Sequence, residues 1–217
     1  MNRRRLKVTS RPLAALSLAA TLVAACGNPE SQDGSGAGLE KHVCLQEDVP
    51  ADFRRQTAGD FTPQNLADLG PGPDQRLRQL AAAGMRGGHF AYWKQNVGSP
   101  PFEPPLDIIC QVIEFDSEAN AAAFVQAIRP EPEELATTAL TWLPDGSRTV
   151  VEAPATLSPG ARAFAIRAED KHTAVDISAV VLPDGRFVRS VYLGGNGGRG
   201  TIAEAAQIQR QMAKRLE

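Results

Sequence analysis

The chain has 217 residues and a formal net charge of −2. Its first 25 residues carry five of the 23 basic side chains and none of the 25 acidic ones, so the remainder has a net charge near −7. That acidity argues against nucleic-acid binding and against a basic membrane-binding face. The remaining length suffices for one domain with a hydrophobic core.

The N-terminal segment has the pattern of an export signal. Five basic residues precede the apolar run LAALSLAATLVAAC at positions 13–26. This run is shorter than the roughly 20 apolar residues that span a bilayer, and small residues close it. Residues 1–25 are therefore predicted to be a signal peptide. The start RRRLK is partly similar to a twin-arginine signal, but Lys7 stands where an apolar residue is expected, which favours an ordinary basic segment.

The end of this run, Leu22-Val23-Ala24-Ala25-Cys26, resembles the lipobox of bacterial lipoproteins. The resemblance implies that Cys26 is lipidated, with palmitate among its acyl chains, and becomes the mature N-terminus. More than one chain is needed for firm anchoring. Residues 26–41 are then a flexible Gly- and Ser-rich tether. The expected location is the extracytoplasmic face of the cell membrane; a plain secreted protein or an uncleaved anchor is the alternative.

The two other cysteines fit an exported protein. Export favours oxidation, so Cys44 and Cys110 are predicted to form a disulfide. The alternative is a pair of inert buried thiols. With His42 and His89 these cysteines match no zinc spacing, and the sequence predicts neither a metal site nor a cofactor.

The predicted elements begin with an irregular lead-in over residues 42–62, which could include a strand. A short helix over 63–69 and a helix over 74–83 follow, the second closed by Gly84. Residues 87–95 alternate as a strand, with Tyr92 on one side and Trp93 on the other. Residues 106–115 are apolar on both faces, which indicates a central strand. Asp116 or Ser117 then caps a helix that ends before residue 130.

The second half begins with a helical turn at 133–140 and a turn at 142–146. Strands follow at 148–152 and 162–168, and a hairpin joins 173–182 to 186–193 through Pro183-Asp184-Gly185. The favoured register pairs Leu182 with Arg186 and places Arg189 opposite Ala179. A loose loop at 194–200 leads into a closing helix over 201–216.

These elements predict an α+β fold over residues 42–217: a single domain with a mostly antiparallel sheet, helices packed on one face, and a C-terminal helix. The element order is similar to PsbP-like domains and to the extracellular sensor domains of actinobacterial kinases. That resemblance covers most of the chain after Cys26 and rests on element order rather than on a motif. It implies binding rather than catalysis.

Four residues are candidates for a ligand or partner surface: Tyr92, Trp93, Arg189 and Arg199. Tyr and Trp dominate binding hot spots, although the aromatic run at 89–93 would equally serve a strand core. Arg189 is predicted among apolar neighbours, either as a pocket cation or with its stem packed and its head in water. Arg199 lies in GNGGRG, which formally matches G-x-G-x-x-G. A flexible loop is favoured there over anion capture, since no second strand follows the helix.

No catalytic motif is present in the sequence: G-x-S-x-G, S-x-x-K and H-E-x-x-H are all missing. No Ser or Cys lies at a spacing from His42, His89 or His172 that would indicate a catalytic triad. The acidic stretch 131–134 is predicted to be a solvated helix start. The first hypothesis is a membrane-anchored binding or accessory module of the cell envelope. Its partners would be the membrane, through the lipid, and a small molecule or an envelope protein. The alternatives are an extracytoplasmic hydrolase, whose paired carboxylates need no signature, and a structural lipoprotein without a ligand.

Overall fold

A computed structural model describes residues 38–69, 72–96, 106–128, 147–153, 159–169, 174–196 and 200–216. Within them, seven strands form one antiparallel sheet with four helices against it. The strands are β1 Phe53–Phe61, β2 Met85–Gln95, β3 Asp107–Phe115, β4 Ser147–Ala153, β5 Arg162–Glu169, β6 Ala174–Asp184 and β7 Phe187–Asn196. The helices are α1 Pro63–Asp68, α2 Pro73–Ala82, α3 Glu118–Ala127 and α4 Ile202–Leu216. The predicted α+β class and its C-terminal helix are confirmed.

The sheet joins two meanders. Strands β1, β2 and β3 pair in sequence from one edge, and β4 to β7 pair in sequence from the other, giving the order β1-β2-β3-β7-β6-β5-β4. The meanders meet where β3 pairs with β7, so these two strands are central. This agrees with the apolar character of both faces of residues 106–115.

The two faces of the sheet bury different sets of side chains. We call one the disulfide face, because it carries Cys110 with Val112 and Val191, and the other the tyrosine face, because it carries Tyr92 and Tyr192. Helix α4 and the lead-in cover the disulfide face, while α1, α2 and α3 pack on the tyrosine face. The prediction placed the helices on one face, whereas the structure divides them between both. A central strand that is apolar on both sides needs a cover on each.

The ends of the helices follow local hydrogen bonding. Thr62 and Asn65 form a capping box at the start of α1, and Ser117 accepts a hydrogen bond from the amide of Asn120 at the start of α3. Asp116, the other predicted cap, instead forms an ion pair with Arg86 at 2.7 Å. Helix α2 ends before Gly84, whose φ of +75° is readily adopted only without a side chain.

The register of the β6–β7 hairpin differs from the prediction. Asp184 pairs with Phe187, so the loop has two residues, Gly185 and Arg186, and not the expected three. Arg189 therefore faces Leu182 and not Ala179, which pairs with Tyr192 instead. The predicted register was wrong by three positions, and an odd shift exchanges the faces on which the side chains of one strand lie.

The lead-in is fastened to the sheet covalently. Leu39–His42 form a 3-10 turn, and Leu39 already belongs to the core, although the tether was predicted to run through residue 41. The predicted disulfide is confirmed: Cys44 is bonded to Cys110 of β3, with a Cα–Cα distance of 5.6 Å. Two buried half-cystines thus join the lead-in to a central strand.

An ion pair adds a second link between the lead-in and α4. Arg215 donates to Asp48 at 3.0 Å and to the carbonyl oxygens of Lys41 at 2.7 Å and Val43 at 2.8 Å. Asp48 is only 2% exposed, so this contact is largely shielded from solvent. None of the helices in the described ranges is long and apolar enough to cross a membrane.

Candidate functional site

Arg189 is a buried cation on the disulfide face, near the start of the central strand β7. It lies on β7 between Val112 of β3 and Leu182 of β6. Phe187 and Val191, two residues before and after it, project to the same face because strand side chains alternate. The side chain is only 7% exposed. This confirms the predicted apolar surroundings of Arg189, although the strand register that led to the prediction was wrong.

Most of the hydrogen-bonding capacity of Arg189 is unused. Nη2 donates to Asp184, whereas Nε and Nη1 have no hydrogen-bond partner within the described structure. Nε carries one N–H and Nη1 carries two, so three of the five donors are unsatisfied. Each buried donor without a partner costs on the order of 1–3 kcal/mol. Burial of Arg189 therefore carries a desolvation cost that its contacts within the described structure do not recover.

His42 lies beside this cation. Its ring packs on Phe187 with the ring centroids 4.7 Å apart, and its Nδ1 is buried without a hydrogen-bond partner. Burial lowers the pKa of His42 below the usual value, and the positive charge of Arg189 lowers it further. Lys41 and Arg215 act in the same direction, while Asp184 opposes them. The imidazole thus lies in a region of positive potential.

We refer to Arg189, Asp184, His42 and Phe187 as the Arg189 cluster. Two parts of the chain that are distant in sequence build it: the lead-in and the β6–β7 hairpin. At its rim Arg186 pairs with Glu114 at 3.0 Å, so that the carboxylate of Glu114 is already neutralised. Asp184 is 43% exposed and is the carboxylate paired with Arg189. The cluster therefore combines buried donors with a half-exposed acidic side chain at its edge.

Other buried polar groups without partners occur on the same face. Gln209 of α4 is 1% exposed, and neither atom of its side-chain amide has a hydrogen-bond partner in the described structure. Trp93 Nε1 is likewise unpaired, and the ring is 2% exposed with Arg55 5.9 Å from its centroid. The disulfide face thus holds several unsatisfied donors and acceptors beneath α4 and the lead-in.

The structure separates the predicted aromatic pair. Trp93 lies in the core of the disulfide face and Tyr92 on the tyrosine face, as the strand alternation predicts. They cannot contribute to one surface, and Trp93 is not exposed to a partner. The hydroxyl of Tyr92 donates to Asp107 at 3.0 Å. Burial raises the pKa of both groups, so this hydrogen bond joins a neutral phenol to a carboxyl group held in a partly dry site.

The tyrosine face has a second internal polar group that sequence reasoning missed. Tyr192 is 4% exposed, and burial raises its pKa to about 12, with Ser190 and the charge of Arg76 opposing the shift. The hydroxyl of Ser190 also lies 3.5 Å from Gln111 Oε1. The alternation of β3 and β7 places all these strand residues on one face, but their pairing depends on contacts distant in sequence.

The glycine-rich stretch at 195–200 is only partly described, and Arg199 lies outside the described residues. At the start of α4, Thr201 and Glu204 form reciprocal hydrogen bonds, with the amide of Thr201 donating to the Glu204 carboxylate at 2.7 Å. A carboxylate from the chain itself already occupies the positive end of this helix. Gly200, at φ +87°, accepts a hydrogen bond from Ser178 at 2.7 Å. This arrangement favours the structural interpretation of the loop over phosphate binding.

His89 has a carboxylate partner. Its Nδ1 lies 2.6 Å from Asp60 Oδ1, and its side chain is 12% exposed. The hydrogen bonds of the described residues give it no hydroxyl or thiol neighbour. No group of three or more His, Cys, Asp or Glu side chains that could hold a metal is found in the described ranges. Cys26, His172 and the acidic residues 131–134 lie outside these ranges.

Comparison with known proteins gives a likeness of fold. No protein-family model matches the chain, and no similar sequence is found among curated proteins. Among solved structures, the chain is similar to the extracellular domain of PknH from Mycobacterium tuberculosis, with a TM-score of 0.54 and 13% identity. The match covers 82% of this chain and 94% of that chain. At this identity the likeness concerns the fold, and it agrees with the predicted similarity to extracellular sensor domains of actinobacterial kinases.

Proposed function

We propose that this protein is a lipid-anchored binding module on the extracytoplasmic face of the cell membrane, and that it captures a small molecule or an envelope protein at the Arg189 cluster. Three independent features support the location. The lipobox-like end of the signal segment supplies an anchor at Cys26. The Cys44–Cys110 disulfide is typical of exported proteins. The fold is similar to an extracellular domain.

The unsatisfied donors of Arg189 carry the binding part of the proposal. A structural arginine on this face would be expected to use its buried N–H groups, since burial without partners costs free energy. Here three donors are left over beside a buried, unpaired His42 Nδ1. A ligand that pairs with them recovers this free energy, so the cost in the free protein becomes affinity in the complex. We propose no catalytic role for the cluster.

The anchor is tested in a bacterial host that processes lipoproteins. We expect the wild-type chain in the membrane fraction, with an N-terminal peptide that begins at Cys26 and carries the mass of several acyl chains. Cys26→Ala should lose both properties, while Ser31→Ala in the predicted tether should keep them. A Cys26→Ala protein that stays membrane-bound would contradict lipid anchoring.

Binding is tested by native mass spectrometry of the protein extracted from its membrane under mild, non-reducing conditions. We expect a defined extra mass beyond the lipids, lost in Arg189→Met and kept in Arg78→Met. Arg78 is a suitable control because it is exposed on α2, which packs on the opposite face of the sheet from the cluster. An unliganded wild-type protein, or an extra mass unaffected by Arg189→Met, would favour a structural lipoprotein or a site elsewhere.

A further inference from the structure

We propose that the ligand group recognised by the Arg189 cluster is a small oxyanion, a carboxylate or a phosphate, held by the free N–H groups of Arg189 next to His42. This inference rests on the proposed binding function and names the chemistry of its ligand.

The donors select the charge of the ligand. A guanidinium is always protonated and offers donors only, so any group that satisfies its Nε or Nη1 must be an acceptor. Hydrogen bonds from a cation to an oxyanion are about twice as strong as neutral ones. A neutral carbonyl would satisfy the geometry, but it would add no negative charge to that of Asp184 opposite the buried guanidinium.

The charges around the cluster also favour an anion. Arg189 and Arg215 on the sheet and α4, together with Lys41 on the lead-in, make the potential at His42 positive, and Asp184 opposes them. Arg215 is already engaged by Asp48, and Arg189 by Asp184 through one nitrogen. Because Asp184 is 43% exposed, solvent screens it more than it screens the buried guanidinium.

The apolar walls strengthen the same interaction. Val112 and Leu182 flank Arg189 across the neighbouring strands, and Phe187 lies beneath the His42 ring. An ion pair in such surroundings is screened less than one at the surface. His42 borders the cluster on the side of the lead-in, and protonation would give it a second donor, which an oxyanion would favour.

The test uses the full lipoprotein in non-ionic detergent, titrated with sodium phosphate or sodium acetate against sodium chloride at constant ionic strength. The chain has only three histidines, so NMR signals of the His42 ring are identified by comparison with His42→Gln. We expect a saturable shift of these signals with phosphate, acetate or both, together with a rise in the pKa of His42. Saturation with phosphate alone would identify the ligand group as a phosphate, and saturation with acetate alone would identify it as a carboxylate.

Variants separate a built site from general salt effects. Arg189→Met should weaken the saturable binding by about tenfold or more, whereas Arg78→Met, on the opposite face of the sheet, should leave it unchanged. Asp184→Asn removes the competing carboxylate and should tighten binding severalfold, so it gives an answer even if Arg189→Met fails to fold. Shifts that chloride reproduces, that do not saturate, or that Asp184→Asn weakens would overturn the proposal and leave ordinary internal water as the partner of Arg189.

Failure of the oxyanion proposal can be told apart from failure of the proposed binding function. A protein that carries an extra mass lost in Arg189→Met, yet ignores phosphate and acetate, would keep the binding function and refute the oxyanion. A protein that binds phosphate but carries no native ligand would support the oxyanion chemistry and leave the native occupant to be sought separately.

Discussion

Reduction of the Cys44–Cys110 disulfide should destabilise the protein substantially. The bond joins residues 66 positions apart, and it restricts the unfolded chain by closing a loop of that length. In the chain-entropy description such a loop contributes about 4 kcal/mol to the free energy of unfolding. That is a large share of the roughly 5–15 kcal/mol typical of a whole domain.

The assay is urea denaturation of the oxidised protein and of the protein reduced under denaturing conditions and refolded, each followed by circular dichroism. We expect a lower midpoint after reduction, and a larger dependence on urea because the unfolded chain expands without its cross-link. Reduction leaves the volume of the core nearly unchanged, so the comparison isolates the cross-link better than substitution does.

Cys44→Ala/Cys110→Ala provides the control, because a reducing agent should not change its midpoint. Amide hydrogen exchange should also accelerate around residues 39–49 in the reduced protein, since the disulfide holds this lead-in against β3. Equal midpoints for the oxidised and reduced proteins would refute the reasoning, and would mean that packing alone secures the lead-in.

Three further predictions concern packing, charge and pH. Gly88→Ala should lower the free energy of unfolding by about 1–3 kcal/mol, because a Cβ there would lie 2.5 Å from the carbonyl oxygen of Val112. Gly194→Ala is the control, since a Cβ at that position meets nothing within 4 Å, and urea denaturation midpoints compare the two variants. Asp48→Ala should lower the free energy of unfolding by about 3 kcal/mol, because it breaks the buried ion pair with Arg215. Asp116→Ala breaks the exposed ion pair with Arg86 and should lower it by under about 1 kcal/mol in the same assay. Because the pKa of His42 is lower in the folded state than in the unfolded state, the free energy of unfolding should fall as pH drops below about 6.5. The melting temperature of His42→Gln should therefore fall less than that of the wild type between about pH 7.5 and 5.5. Equal urea denaturation midpoints for the two glycine variants, or for the two aspartate variants, would contradict the first two predictions. Parallel plots of melting temperature against pH for wild type and His42→Gln would contradict the third.

Local sequence patterns predicted most of the described elements because helices and strands have short periods. The strand at 106–115 was predicted from a run apolar on both faces, and the helix after Ser117 from its cap and apolar stripe. Alternation alone placed Tyr92 and Trp93 on opposite sides of β2. These features depend on residues a few positions apart, and the structure confirms them.

Features set by distant contacts were not accessible in this way. Pro183-Asp184-Gly185 has turn chemistry, but it does not reveal that Pro183 and Asp184 remain in β6 and that Gly185 begins a two-residue loop. The prediction therefore paired Arg189 with the wrong residue. The placement of His42 over Phe187 joins positions 145 residues apart, and no local pattern indicates it. The candidate site depends on both features, which is why the sequence suggested Arg189 but not its neighbours.

The place of the disulfide also decides how the protein would bear a mechanical load. A pull that enters through the residues before position 38 meets its first covalent cross-link at Cys44 and passes through it into β3, so β1 and β2 are spared the tension. His42 lies on the loaded side of this bond. The hydrogen bonds from Arg215 to Lys41 and Val43 would resist first, and their rupture would draw the imidazole away from Phe187 and uncover Arg189. Stretching the lead-in would thus open the Arg189 cluster while the sheet stays folded.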